Sequence, residues 1–395
     1  MAAIKILPDI YSVGVLDWGV RNFHGHTYTT QRGSTYNSYL IIDEKITLVD
    51  TVYGPFAQEL IENIKEIIPP ERIDYVIANH VETDHSGALP SLMQLCPKAK
   101  ILGTAKCKDG LYKHYYGNWD FQTVKTGDKL ELGKRTLTFF EAPMIHWPDS
   151  MFTYCPQDCL LMPNDAFGQH YATAERFDDL VDQCSLMDEA EKYYANILWP
   201  LSSVILKKIE ELQRLNITIK MIAPSHGVIW RKDPERIINS YIAWAKGQTN
   251  KKIVVAYETM WGATEKMARK IVEGISAQGV EVNLYNVAES DRTEIITRML
   301  TAQGFLFGSS THDNDMLPNI AAFLEIVKGL KPKGRQVGFF GSYGWAGGAV
   351  KEMQEALKDS GVDVSIPGVS IKYIPDKEEL KACFEFGNQF AKLLR

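Results

Sequence analysis

The segment His80-Val81-Glu82-Thr83-Asp84-His85 puts two imidazoles and two carboxylates within six residues, one position beyond the apolar run 73–78. Such a run reads as a strand. A strand that stops in a loop this rich in ligating groups holds several of them at one sheet edge, where a rigid scaffold can fix a metal cluster. Any fold for this chain must give these four side chains cations or one another as partners, and the expectation is a binuclear metal site.

Three later segments repeat the pattern of an apolar run ending in a candidate ligand. Residues 136–145 end at His146, residues 160–164 at Asp165 and residues 219–225 at His226. Two metals would then share His80, Glu82, Asp84, His85, His146, Asp165 and His226. A carboxylate such as Asp165 can bridge two cations, and three acidic ligands offset much of the charge of two divalent ions. Any one of these histidines alone reads more naturally as a hydrogen-bonded core or surface residue; ligands at four strand ends do not.

The second half carries a different signal. Residues 251–257 read as a buried parallel strand, and a hydroxyl-rich turn leads from it into an amphipathic helix over 265–275. Backbone N–H groups at that helix start, with the hydroxyls of Thr259 and Thr264, form a cradle for a phosphate. On its own a Thr-rich turn is often only a helix cap. Two further strand ends, 304–308 and 336–341, lead into loops of small polar residues with aromatic or imidazole rings. Ligands of an open α/β sheet bind beyond the carboxyl ends of its strands, so three such loops converge on one ligand. The candidate contacts are Thr259, Met260, Trp261, Gly262, Ala263 and Thr264, then Thr311, His312 and Asn314, then Ser342, Tyr343, Gly344, Trp345, Ala346 and Gly347. The layout resembles flavodoxin and implies FMN, with Tyr343 and Trp345 flanking a planar ring.

The first half resembles the metallo-β-lactamase fold, a four-layer αββα sandwich with a binuclear site built from loops in this order. Its hydrolases usually read His-x-His-x-Asp-His in the first motif, and here Glu82 stands at the second histidine. A carboxylate there hardens the shell and moves it from zinc toward iron or manganese. The expected fold is thus α/β, an N-terminal metallo-β-lactamase-like sandwich followed by a C-terminal flavodoxin-like doubly wound parallel sheet. Together the two halves resemble the flavodiiron proteins over essentially the whole chain. The motifs are His80-x-Glu82-x-Asp84-His85, the stretch 142–151 around His146, Asn164-Asp165-Ala166-Phe167-Gly168-Gln169-His170, and Ser225-His226-Gly227.

That resemblance implies FMN and a non-haem centre of two irons that reduces dioxygen to water or nitric oxide to nitrous oxide. It implies His80, Glu82 and His146 on one iron, Asp84 and His226 on the other, and Asp165 as the bridge. His85 matches a residue that ligates in some members and turns away in others. His24, Trp147 and Tyr193 match residues lining the substrate pocket, although packing alone also accounts for the two aromatics. Subunits of the family pair head to tail, which implies a homodimer or a dimer of dimers. The family's Gly-Ser-Pro-Thr is here Gly308-Ser309-Ser310-Thr311, and losing the proline frees that loop. His26, His114 and His170 match no role and read as surface or hydrogen-bonded histidines.

Composition fits this reading. A length of 395 residues with 45% hydrophobic content supports two sizeable cores, and a formal charge of −6 argues against nucleic acid as a partner. The N-terminal residues lack a signal peptide's apolar core, and no run approaches the length of a membrane span. Six cysteines without Cys-x-x-Cys spacing suggest free thiols in a reducing cytoplasm. No rubredoxin module is visible, so the expected donor is a separate protein, rubredoxin by resemblance. The polar stretch 244–252 marks the expected boundary between domains 1–248 and 249–395. Two rival readings are a binuclear zinc hydrolase with an accessory flavodoxin domain and an electron carrier with a metal-free first domain.

Overall fold

The computed structural model describes residues 3–394. The chain packs into two compact units, Met1–Tyr193 with Leu201–Ile242, and Tyr194–Pro200 with Ala243–Arg395.

In the first unit, one sheet orders the strands Ile4–Leu7, Ile10–Ser12, Tyr39–Ile41, Thr47–Val49, Tyr75–Ile77, Lys100–Gly103 and Phe121–Thr123. A second orders Lys129–Glu131, Thr136–Glu141, Met151–Cys155, Leu160–Met162 and Met221–Ile222. The central strands of the first sheet are short and mostly apolar because both of their faces are covered. Consecutive side chains of a strand point to opposite faces. Accordingly Leu40, Leu48, Val76 and Ile101 join a core with the helices Ala57–Lys65 and Leu89–Leu95. Their neighbours Ile41, Val49, Ile77 and Leu102 join another with Leu137, Phe139, Met151, Leu160 and Met162 of the second sheet. The sheets therefore pack face to face. Helices Ser202–Arg214 and Pro234–Ala245 lie on the far side of the second sheet, where Leu161, Ile209, Leu212 and Ile238 line one cavity.

The second unit is a parallel sheet in the order Glu281–Asn286, Asn250–Glu258, Ala302–His312, Gln336–Tyr343, followed by Asp363–Val364. Helices Ala263–Ser276 and Lys377–Lys392 bury Met267, Ile271, Cys383, Phe386 and Phe390 on one face, against Ile253, Val255 and Leu306. The strand beginning at Ala302 runs farther than its apolar residues suggest. It continues to His312, and Asp315–Met316 folds back antiparallel to it through Asp313 and Asn314, both at positive φ (50° and 64°). Two consecutive positive φ values make a tight hairpin turn, and Asp and Asn tolerate that backbone better than most residues. The expected loop is thus the tip of a hairpin.

Residues 194–200 and 243–248 belong with the second unit, which moves the division away from 248. Trp244 packs on Tyr194 with ring centroids 5.2 Å apart, and the Asn196 amide donates to Thr293 O at 3.2 Å and Thr297 Oγ1 at 3.3 Å. A polar linker with a glycine is visible in sequence, whereas a segment that leaves a unit and returns carries no such marker.

Candidate metal centre and flavin loops

The sheet edge assembles the seven candidate ligands from four loops. His80 and Asp165 each follow an asparagine, and one buried carboxylate fastens both approaches. Asp50 accepts from Asn79 N at 2.7 Å, Asn79 Nδ2 at 3.0 Å and Asn164 Nδ2 at 3.1 Å. Asp84 and His85 ride on the short helix Thr83–Ser86 that the hexad forms. His226 is held by its own loop. Gly227 at φ +78° lies so close to Gln169 that a Cβ would fall 1.7 Å from Gln169 Oε1, and that oxygen accepts from Val228 N at 2.7 Å.

Two sets of donors result, His80, Glu82, His146 and Asp165 in one and Asp84, His85 and His226 in the other, the atoms of each lying within 4.8 Å of one another. Glu82 Oε2 is 3.3 Å from both His80 Nε2 and His146 Nε2. Asp84 Oδ2 is 3.2 Å from His226 Nε2, and Asp84 Oδ1 is 3.3 Å from His85 Nε2. Asp165 faces both sets. Its Oδ2 is 3.3 Å from His146 Nε2, while its Oδ1 is 3.0 Å from His85 Nε2 and 3.5 Å from His226 Nε2. His85 therefore turns inward.

These spacings fit cations. Donors around one ion, at bonds of about 2.1 Å, stand about 3.0–3.4 Å apart. Asp84 Oδ1, Asp165 Oδ2 and both ring nitrogens of His85 are buried without a hydrogen-bond partner. Orphaned polar atoms in a core are costly, and cations held by the two sets would satisfy Asp84 Oδ1, Asp165 Oδ2 and His85 Nε2.

Without cations, protons stand in for their charge. Burial alone would push the imidazoles down. For His80 the hydrogen bonds to Asp149 and Glu82 overcome it and raise the ring to about 10, and for His85 the charges of Asp84 and Asp165 raise it to about 9. His146, facing the charges of Asp165 and Glu82, rises to about 10. Burial likewise opposes the charge of Glu82 and Asp165, yet the surrounding imidazoles hold both carboxyls far below their ordinary range. Metal binding exchanges those protons for cations.

The outer contacts of the two sets differ. His80 Nδ1 meets the Asp149 carboxylate at 3.1 and 3.2 Å, whereas His226 Nδ1 donates to the Thr35 carbonyl at 2.6 Å. Of the expected pocket residues, His24 places Nε2 3.3 Å from Glu82 Oε1, and the Trp147 ring stands edge-on to His80 at 5.1 Å. Tyr193 is buried, with its ring 6.1 Å from that of His226. A cavity of about 580 Å³ reaches Glu82 and Asp84 past His24, Phe23 and Tyr36. His26 and His114 are exposed, and His170 is buried.

In the second unit, three strand ends are tied by a buried triangle of hydroxyls. Thr264 Oγ1 lies 2.9 Å from both Ser310 Oγ and Ser342 Oγ, which are 3.2 Å from each other. The Thr264 hydroxyl is thereby committed to the triangle, while Thr259 Oγ1 accepts from Gly262 N at 3.1 Å within the turn. Gly262, at φ +82°, turns the chain into helix Ala263–Ser276. Thr311 Oγ1 accepts from Gly348 N and Ala349 N, both at 3.3 Å, which fastens the hairpin to the third loop. Trp261 and Trp345 are 88% and 87% exposed at these loops, an unusual outlay of aromatic surface unless something planar covers it.

Comparison with known proteins gives the family. Residues 35–227 match the family model described as ODP family beta lactamase, and residues 255–387 match that of flavodoxin. A nitric oxide reductase of Moorella thermoacetica is 51% identical over 390 residues, covering 98% of each chain. The chain is a flavodiiron protein. The anaerobic nitric oxide reductase flavorubredoxin of Escherichia coli K12 is 43% identical over 394 residues, 99% of this chain and 82% of that one. The solved rubredoxin oxygen:oxidoreductase of Desulfovibrio gigas superposes with a TM-score of 0.97 at 37% identity, covering 99% and 98% of the two chains. This flavodiiron protein is accordingly an oxidoreductase whose family carries FMN and a non-haem diiron centre. Among its described residues no helix is long and apolar enough to cross a membrane.

Several partners in the site escape a reading of the sequence. Asp149 lies within the quoted stretch around His146, but nothing in its spacing says that it meets His80, 69 residues away. Asp50 follows the strand Thr47–Val49 and Thr35 sits within the strand Ser34–Tyr36, neither with any ligand signature. Ser310 was visible only as a substitute for proline, and its hydroxyl joins all three flavin loops.

Proposed function

We propose that this flavodiiron protein reduces nitric oxide to nitrous oxide, with His80, Glu82 and His146 holding one iron, Asp84, His85 and His226 the other, and Asp165 bridging. The observation that carries the reading is the Asp165 carboxylate, with Oδ2 3.3 Å from His146 Nε2 and Oδ1 3.0 Å from His85 Nε2. When bound, the irons and FMN supply the stored electrons and the Lewis acidity. The protein's own groups do the rest. Asp149 orients His80, Asp50 fixes both asparagine turns, the rings of Phe23 and Tyr36 limit water at the cavity, and the Trp147 ring packs edge-on to His80. His24, at the mouth of that cavity, is placed to exchange protons with solvent beside Glu82. Two molecules of nitric oxide take up two electrons and two protons to give nitrous oxide and water.

Dioxygen reduction to water is the second reading, favoured by the 37% identical Desulfovibrio relative named as an oxygen oxidoreductase. The FMN site is proposed on Thr259–Thr264, Thr311, His312, Asn314 and Ser342–Gly347. Exposed Trp261 and Trp345 support a partner surface over them, as in a head-to-tail homodimer. A separate rubredoxin is the proposed donor, and six free cysteines support a reducing cytoplasm. A zinc hydrolase would leave Glu82 and the three converging loops without a task. Elemental analysis and the visible spectrum of protein from iron-supplemented cells test the reading. About two irons and one FMN per chain are expected, and two zincs in place of iron would overturn it.

A further inference from the structure

His170 is one of the largest polar groups near the centre without a part in the proposed reaction. It is 1% exposed and ringed by Phe23, Tyr28, Tyr193 and His226, at centroid distances of 4.2, 5.0, 5.1 and 4.7 Å. Its Nδ1 lies 2.7 Å from Ser34 Oγ, and its Nε2 is buried without a hydrogen-bond partner. With no partner at Nε2, the hydrogen bonding of the ring is set at Nδ1.

The partners assign the tautomer. With the hydrogen on Nδ1, His170 donates to Ser34 Oγ, and the Ser34 hydroxyl is free to donate to Thr35 O at 3.3 Å. With the hydrogen on Nε2 instead, a buried N–H would lack an acceptor and the Ser34 hydroxyl would turn from Thr35 to His170, breaking the chain. Thr35 O is also the acceptor of His226 Nδ1–H at 2.6 Å. A continuous chain results: His170 Nδ1–H to Ser34, Ser34 O–H to Thr35 O, and His226 Nδ1–H to the same carbonyl. It aims the His226 Nε2 lone pair at Asp84 and Asp165.

We propose that His170 and Ser34 are positioning residues for the second iron, acting through the Thr35 carbonyl to fix the orientation of His226. The proposal rests on His226 being an iron ligand. It also explains an asymmetry, because His80 is oriented by a carboxylate and His226 by a carbonyl that needs this second support. His170→Phe keeps a ring in the aromatic cage and removes the donor, whereas His170→Asn restores an N–H close to the position of Nδ1.

The test is anaerobic competition of the ferrous holoenzyme with a chromogenic ferrous chelator, alongside FMN content and the midpoint potentials of the two irons. His170→Phe and Ser34→Ala are expected to give up one iron at chelator concentrations about 10–100-fold lower than wild type, as is usual for loss of an outer partner. The other iron and FMN should stay, and His170→Asn should return retention toward wild type. Wild-type retention of both irons in Ser34→Ala overturns the proposal. So does equal loss of both irons in Ser34→Ala, or failure of His170→Asn to rescue a folded protein. If wild type itself holds no iron, the metal reading fails first, which separates the two.

Discussion

The metal unit and the flavin unit solve the problem of holding a cofactor in opposite ways. The metal loops bury their chemistry: Asp165, His80, His85 and His226 are all at most 2% exposed, and several of their polar atoms lack any protein partner. The flavin loops bury only their fastening, the hydroxyl triangle of Thr264, Ser310 and Ser342, and leave Trp261 and Trp345 open. A cation is small and gains most from a dry, oriented, charged shell. A flavin is large and gains from apolar faces and backbone N–H groups at a sheet edge. The metal unit should thus be sensitive to single polar atoms and the flavin unit to area.

Asp165→Ala gives the largest expected effect. It removes the one group that faces both donor sets, so iron content and nitric oxide turnover should both fall by more than about 100-fold, beyond the loss from an outer partner. FMN should remain, by spectrum. Turnover at the wild-type rate by a folded, flavin-loaded variant would sink the proposed centre. Asp149→Ala is next. It should weaken iron retention by about 10–100-fold, through His80 and through the Val81 N–H that the same carboxylate accepts at 2.8 Å, read by chelator competition.

The pH dependence of the metal-free protein sharpens the contrast. His80, His85 and His146 have folded pKa values of about 10, 9 and 10, above their unfolded value of about 6.5. Groups raised in this way stabilise fully below about pH 6.5, and the contribution is lost as pH rises through 9 to 10. Calorimetry of the iron-free protein should therefore show the metal unit's transition falling between pH 6.5 and 10, and iron loading should suppress that dependence. In weakly buffered solution, iron uptake should release protons at pH 7 and fewer above pH 10. A transition that rises over the alkaline range would contradict the ion-pair account.

Trp345→Ala carries the smallest effect. Loss of one stacked ring is worth about 0.5–1.5 kcal/mol, or roughly 2- to 13-fold in FMN affinity, with iron content untouched. Titration of the flavin-free variant measures it, and a coincident loss of iron would break the division between the units.

What could be read from the sequence follows the same division. His80, Glu82, Asp84, His85, His146, Asp165 and His226 stand out because each follows an apolar run, and a strand fixes where its end must lie. The pairing of His80 with Asp149, or of His226 with Thr35, depends on contacts between segments far apart in the chain, and no local pattern encodes it. His170 illustrates the limit: its letter predicts a hydrogen bond but not that the bond reaches an iron ligand through two neighbours. In the second unit the parallel strand expected at 251–257, and found at Asn250–Glu258, is plain from its apolar letters. The hairpin at Asp313 and Asn314 was not, because polar residues at a strand end look the same whether they form a loop or a turn.

The passage of Tyr194–Pro200 through the second unit bears on anyone who would use the metal unit as a detachable module. A gene cut at codon 248 keeps Trp244 but discards Thr293 and Thr297, which hold the Asn196 amide, and so strips part of the packing of the segment that carries the buried Tyr194, Ala195, Leu198 and Trp199. Swapping a different electron-delivery module onto this catalytic half therefore requires redesigning those side chains along with the splice.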